Sequence, residues 1–532
     1  MSTCNRHASR MRIALPILVS SFVLFGFGGS HVKADTGSFN VPKAVCGPND
    51  HPETGLQGQV PAALRAAGFQ GFSCNLELLS QVRGDGANWQ SAEFREARLN
   101  PANLFEPNTG HICAYHGTSF TTANRTHVGV PVIDVTDAKH PVTTSYLTTT
   151  SMLDPWESLK VNQRRELLAA DNGHNGGGGP EVDIYDISSD CRYPQFLASV
   201  AVGKADGSTG EPAKVVGHEG SWAPDGLTYY GGDIFTAGGQ YYAVDTSNPG
   251  APTLITNWHT GIAGVHGLSI SDDGYRGYFV SLSGGVGTAK LNDPTALPTN
   301  GLLIYDLSEI QDRKPNPQAK LISKVMWKDG SFAQHTIPVT IRGRRYVISV
   351  DEGGSAGIFG GLSNLQAACD AGFSPFPMAR IVDVDDETNP AVISKLALQI
   401  HDPANCTQVL PDLVGLSTFW YGSHYCSVDN RKNATTLACG YFNSGIRVFD
   451  IRNPVHPREI AYYNPAGTTT PSPGSNHGAN WKPGGADWCS AQVHLDADRG
   501  TLWTTCQDNG FLMLKFTNGV WPFPQSKNGL QN

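Results

Sequence analysis

The run Gly445-Ile446-Arg447-Val448-Phe449-Asp450-Ile451-Arg452-Asn453-Pro454-Val455-His456-Pro457 decides the fold, because near-copies of it recur along most of the 532-residue chain. Val132-Ile133-Asp134-Val135 runs on to Pro141, Ile184-Tyr185-Asp186-Ile187 to Pro194, and Ala243-Val244-Asp245-Thr246 to Pro249. Ile304-Tyr305-Asp306-Leu307 runs to Pro315 and Ile381-Val382-Asp383-Val384 to Pro390. A worn seventh copy, Phe511-Leu512-Met513-Leu514-Lys515-Phe516, has Lys515 in the aspartate's place. Each copy is an apolar run closed by an acid and a proline-bearing turn, which is how a strand stops. The acid accepts backbone N–H bonds at the turn, and the proline cannot join the next ladder. Ile446, Val448, Phe449 and Ile451 occupy both parities, so the strand is covered on both faces, as in small sheets stacked face to face.

Successive aspartates stand 52, 59, 61, 77 and 67 residues apart. A unit of that length holds about four strands, which predicts the blades of a β-propeller. One unit reads cleanly as a meander: His266 to Ser271, a turn at Asp272-Asp273-Gly274, Gly277 to Leu282, Leu302 to Leu307, and Ala319 to Val325. Six further units follow the same order, opening near Trp89, Trp156, His218, His335, His424 and Cys489. The last has only three strands before the C-terminus, and Leu76-Glu77-Leu78-Leu79-Ser80-Gln81-Val82 resembles the missing outer strand. The expected fold is therefore an all-β, seven-bladed propeller whose ring closes when this N-terminal strand joins the last blade, leaving no exposed edge. A free N-terminal extension beside an incomplete blade is the alternative. Residues 359–377 and 465–485 read as long loops.

These repeated strands resemble the LVIVD-repeat family of β-propeller proteins, and the resemblance covers most of the chain beyond its N-terminal segment. It implies the architecture and leaves the chemistry open, since propellers host many functions.

Thirty-eight Lys and Arg against 47 Asp and Glu give a net charge of −9, without a basic run. That argues against nucleic acid and anionic membranes as partners. Arg6, Arg10 and Arg12 precede an apolar run from Ile13 to Phe27 and then Val32-Lys33-Ala34. This reads as a secretory signal over 1–34, its apolar core being short for a membrane span, with an uncleaved anchor as the alternative. An N-terminal arm over 35–75, a propeller over 76–521 and a tail over 522–532 follow. The expected product is secreted or periplasmic, monomeric and without integral membrane association. Loss of Cys4 with the signal leaves ten of eleven cysteines, an even count that implies disulfides in an exported chain. Sequence does not fix their connectivity, but Cys46/Cys74, Cys369/Cys406, Cys426/Cys439 and Cys489/Cys506 lie close along the chain, and Cys113/Cys191 remain by elimination.

Chemistry is expected at one mouth of the central channel. His218, His266 and His335 each lie eight residues before a hairpin glycine, Gly226, Gly274 and Gly343, so they share a structural position, and His424 opens another blade in the same way. First strands line the channel, which would gather these four imidazoles as candidate metal ligands. Second strands return to the same face carrying His116, Asp171, Asp233, Asp351 with Glu352, and Asp508. Imidazoles meeting carboxylates suit a first-row transition metal such as copper, zinc or iron. Glu219, beside His218, is a candidate general base. Two functions fit: a module binding a protein or small-molecule ligand through its His/Asp-lined face, or a metal-dependent oxidoreductase, most naturally of copper. A third reading is purely structural, each histidine bonding the backbone of the next blade.

Overall fold

The computed structural model describes residues 39–99, 107–118, 125–173, 182–203, 217–234, 239–262, 264–473, 475 and 484–524. The signal expected over 1–34 and most of the tail expected over 522–532 lie outside them.

Two strands precede the first blade, β1 (Phe72–Cys74) and β2 (Leu76–Val82). Blade 1 is β3 (Ser91–Leu99), β4 (Pro107–His116), β5 (Val130–Asp134) and β6 (Val142–Leu147). Blade 2 is β7 (Lys160–Asn162), β8 (Leu167–Asp171), β9 (Val182–Asp186) and β10 (Gln195–Val200). Blade 3 is β11 (Glu219–Trp222), β12 (Thr228–Asp233), β13 (Gln240–Asp245) and β14 (Thr253–Trp258). Blade 4 is β15 (Leu268–Ile270), β16 (Arg276–Ser281), β17 (Gly301–Asp306) and β18 (Lys320–Met326). Blade 5 is β19 (Ser331–Ile341), β20 (Arg344–Gly353), β21 (Ala379–Asp383) and β22 (Ala391–Lys395). Blade 6 is β23 (Ser423–Val428), β24 (Thr436–Tyr441), β25 (Ile446–Asp450) and β26 (Arg458–Asn464). β27 (His494–Asp496), β28 (Thr501–Cys506) and β29 (Gly510–Phe516) belong to blade 7. Every sheet is an antiparallel meander, and the seven form a seven-bladed β-propeller.

The repeated run is the third strand of each blade. Its aspartate accepts the backbone N–H two residues on in all six intact copies: Thr136 to Asp134, Ser188 to Asp186, Ser247 to Asp245, Ser308 to Asp306, Asp385 to Asp383 and Arg452 to Asp450, at 2.8–3.1 Å. The acid therefore ends the strand by folding the chain onto itself. Apolar residues of both parities pack between neighbouring sheets: Val448 and Ile446 face blade 7, while Phe449 and Ile451 face blade 5.

Closure follows the expected route. β2 pairs with β29 from Leu76↔Phe516 to Val82↔Phe511, completing blade 7 with the chain's opposite end. Beyond that expectation, β1 adds to the outer edge of β26 as a fifth strand of blade 6. The arm preceding it carries a short helix, Ala62–Ala66, and is anchored by a buried cluster in which Arg447 pairs with Glu53 at 2.8 Å and Glu459 at 2.9 Å. Residues 359–377 are not simply a loop: Gly361–Asp370 is helical, with Leu365 and Ala368 buried on one side. The five disulfides join the pairs that lie close along the chain and the remaining Cys113/Cys191, which settles the connectivity that the sequence left open. Cys426 and Cys439 are registered partners on β23 and β24, and Cys113 on β4 crosses to Cys191 beyond β9, tying blade 1 to blade 2. No helix among the described residues is long and apolar enough to cross a membrane. Five disulfides fit maturation in an oxidising compartment.

Candidate metal centre

At one mouth of the channel the chain segments opening successive blades bond to each other. Glu157 N–H donates to His218 O at 3.0 Å, Gly267 N–H to Gln334 O at 2.9 Å, and Tyr425 N–H to Ser490 O at 3.3 Å. This collar fixes the side chains that precede or begin the innermost strands. Gly267 has to be glycine here, because a Cβ would collide with the carbonyl of Gln334 and the carboxylate of Glu219.

Within the collar, imidazoles converge on one carboxylate. His218 Nε2 and His266 Nε2 lie 2.9 Å apart, and both face Glu157 Oε2, at 3.4 and 3.5 Å. His424 Nε2 reaches the other oxygen, Glu157 Oε1, at 3.1 Å. Glu352 spans the far side, with Oε1 3.7 Å from His266 Nε2 and Oε2 3.4 Å from His424 Nε2. Gln334 Nε2 at 3.1 Å and Tyr425 OH at 3.2 Å donate to Glu157 Oε2. Carbonyl oxygens only accept, so the tautomers of two imidazoles are decided by their outer partners: His266 Nδ1–H donates to Gln334 O at 3.0 Å and His424 Nδ1–H to Ser490 O at 2.9 Å. Their Nε2 atoms are thereby turned inward, the same outer-partner arrangement that orients metal-bound histidines. The ligand atoms of Glu157, His218 and His266 lie within 4.8 Å of one another, near enough that these three residues could hold one ion.

The electrostatics match. Burial alone would push the Glu157 carboxyl up, but the His424, His266 and His218 rings outweigh it and hold the acid well below the usual carboxylate range. Burial likewise works to lower His424, yet Glu157 and then Glu352 raise it to about 10. His266 is raised against burial by Glu157, while His218 is lowered by burial and by His266. Five ionisable side chains this deep, none more than 11% exposed, are costly to the fold, and strongly perturbed groups gather at functional sites, which makes the cluster the candidate site.

The four histidines expected together are therefore divided: His218, His266 and His424 meet, and His335 does not meet them. A bulge between Ala333 and His335 in the β19–β20 register puts Gln334 into the cluster in its stead. His335 donates from Nδ1 to Gln334 Oε1 and accepts from Cys426 N–H at 3.2 Å through Nε2, so both ring nitrogens are engaged. Along β20, parity sends Glu352 to the channel and Asp351 between blades, where Arg380, Trp327 and Asn300 bond it at 2.9–3.0 Å. His116 is buried against Gly117 O at 2.8 Å, Asp171 accepts from Tyr242 OH, and Asp508 caps Ser472 N–H at 2.8 Å. Asp233 is buried at the end of β12, next to the Gly232 carbonyl that accepts from His218 N–H. Glu219 Oε2 lies 3.8 Å from His266 Nδ1 and its Oε1 3.7 Å from Lys160 Nζ, one layer behind the cluster.

Glu157, the hub, is the residue sequence reasoning missed. Its blade turns on Glu166, a non-glycine at φ +53°, so the histidine-to-glycine spacing that located the others has no counterpart there. A carboxylate immediately after the blade-opening Trp156 was the available signal.

Aromatic rings cover the cluster. Trp89 and Phe442 lie 5.2 and 5.1 Å from His424, and Trp156 lies 5.1 Å from His218. On another side, Lys160, Glu219, His335 and Tyr425 form part of the wall of a channel cavity of about 420 Å³.

No protein-family model matches the sequence, and no curated protein matches it. Among solved structures, a candidate 6-phosphogluconolactonase from Bacteroides uniformis aligns over 77% of this chain and 93% of its own, at 13% identity and a TM-score of 0.48. What fold and site define is thus a class, a disulfide-linked seven-bladed propeller with a buried histidine–carboxylate cluster at its channel mouth.

Proposed function

We propose that the protein is an exported, monomeric propeller of the LVIVD-repeat type that holds a first-row transition metal in its channel. Glu157, His218 and His266, whose ligand atoms lie within 4.8 Å of one another, are its ligands, and His424 and Glu352 flank them. The reading is carried by the inward Nε2 atom of His266, whose Nδ1–H is spent on the Gln334 carbonyl and which lies 2.9 Å from His218 Nε2 and 3.5 Å from the buried Glu157 carboxylate. Two imidazoles with a carboxylate suit copper, zinc or iron over calcium or magnesium. The 1–34 segment as a signal, and the oxidising compartment that five disulfides favour, agree with a protein loaded outside the cytoplasm.

The same groups carry a competing reading. Protonated His424 and His266 against ionised Glu157 would make a self-neutralising ion knot that serves only a binding propeller. Metal analysis of the purified mature chain separates the two. About one equivalent of copper, zinc or iron is expected in the wild type and in His335→Ala, with loss of most of it in Glu157→Gln and His266→Ala. No metal in the wild type after exposure to each ion, or equal loss in His335→Ala, would favour the ion knot.

A further inference from the structure

The cavity of about 420 Å³ behind the cluster has a composition of its own. Four cations, Lys160, Arg164, Arg431 and Lys432, line it against two carboxylates, Glu219 and Asp272. Arg431 is occupied by Asp272 at 3.2 Å and by Ile270 O at 2.7 Å, whereas Arg164 and Lys432 are exposed. At the inner end stands Lys160. Its nearest carboxylate oxygen, on Glu219, is 3.7 Å away, beyond hydrogen-bond length, and its ammonium rests 5.7 Å over the Tyr425 ring. An ammonium so placed has N–H donors to give to a ligand. The rest of the wall mixes polar side chains, among them Gln163, Ser269, Thr336 and Gln492, with an apolar strip of Trp222, Leu268, Ile337 and Pro338 that can cover a small hydrocarbon body.

We infer that this cavity binds a small organic anion with an apolar body, its charged group against Lys160 and its body against Trp222 and Leu268. Binding rests on the cavity alone. If the metal reading also holds, the ligand would lie one side chain from the centre, since Tyr425 and Glu219 touch both the cavity and the cluster.

Calorimetric titration of the full mature chain, as purified and again after chelator treatment, tests this with 2-naphthoate and its neutral counterpart 2-naphthamide. The acid should bind, the amide at least about tenfold more weakly. Lys160→Met should weaken the acid by a similar factor and leave the amide unchanged. The chelated protein should bind the acid as well, so that failure here is separable from failure of the metal reading. Equal affinity for acid and amide, no binding of either at millimolar concentration, or indifference to Lys160→Met would overturn the inference. Should Lys160→Met not fold, wild-type crystals soaked with 6-bromo-2-naphthoate decide: a bromine anomalous peak between Trp222, Leu268 and Ile337 supports the site, and a peak elsewhere or none refutes it.

Discussion

Single imidazoles in this chain are tuned in opposite directions by what surrounds them, and pH reads that out. His116, His401 and His494 are each lowered to about 4, first by burial. A histidine whose folded pKa is depressed favours the native state above its unfolded value of about 6.5, and that contribution is lost as pH falls toward 4. His424 has the reverse sign. Raised to about 10, it stabilises metal-free protein fully below about pH 6.5 and progressively less up to pH 10. Denaturant midpoints of chelated protein should therefore fall on both sides of neutrality. His424→Gln should abolish the alkaline decline and leave the acid one, and an unchanged alkaline limb would show that His424 does not carry it. If the proposed metal binds, it must displace protons from the imidazoles that hold it, so its affinity should rise with pH.

Elements were the level most legible in sequence. The Asp-ended third strand showed both the blade count and the turn chemistry, because the acid's role is local: it bonds a backbone group two residues on. Asp306→Ala should cost about 1–2 kcal/mol by removing the Ser308 N–H acceptor, with Asp306→Asn recovering part of it, measured by urea unfolding. The eight-residue ruler likewise found His218 and His266. It failed at His335 because a bulge is a register event with no residue signature, and at Glu157 because Glu166 takes the turn that glycine takes elsewhere. The helix at Gly361–Asp370 was hidden in the same way: its short sequence has too little apolar periodicity to separate it from the loop around it. Between elements, Cys113–Cys191 closes 78 residues across two blades. The Cys113→Ser/Cys191→Ser double variant should lose about 4–5 kcal/mol on chain-entropy grounds, a loss under 1 kcal/mol arguing that blade packing alone holds them.

For the whole molecule, the ring stands on one seam between chain ends more than 400 residues apart. Leu76, 1% exposed, sits in that seam with Leu512, Leu514 and Phe516. Leu76→Ala should cost about 2–4 kcal/mol in a single cooperative transition, because opening the seam exposes two blade edges at once. A separate early transition, with the rest intact, would show that blade 7 unfolds alone. Closure was readable from the likeness of residues 76–82 to another outer strand. The fifth strand of blade 6 was not, since β1 is three residues long and is held by its pairing partner rather than by its own pattern.

The most direct test of the channel as a metal centre is X-ray absorption at the edge of whichever ion the native protein carries. The expected spectrum shows at least two imidazole nitrogens and a carboxylate oxygen at about 2.0–2.2 Å, with the imidazole scattering reduced in His266→Ala. A spectrum of water oxygens or sulfur alone, or one unaltered in His266→Ala, would contradict it.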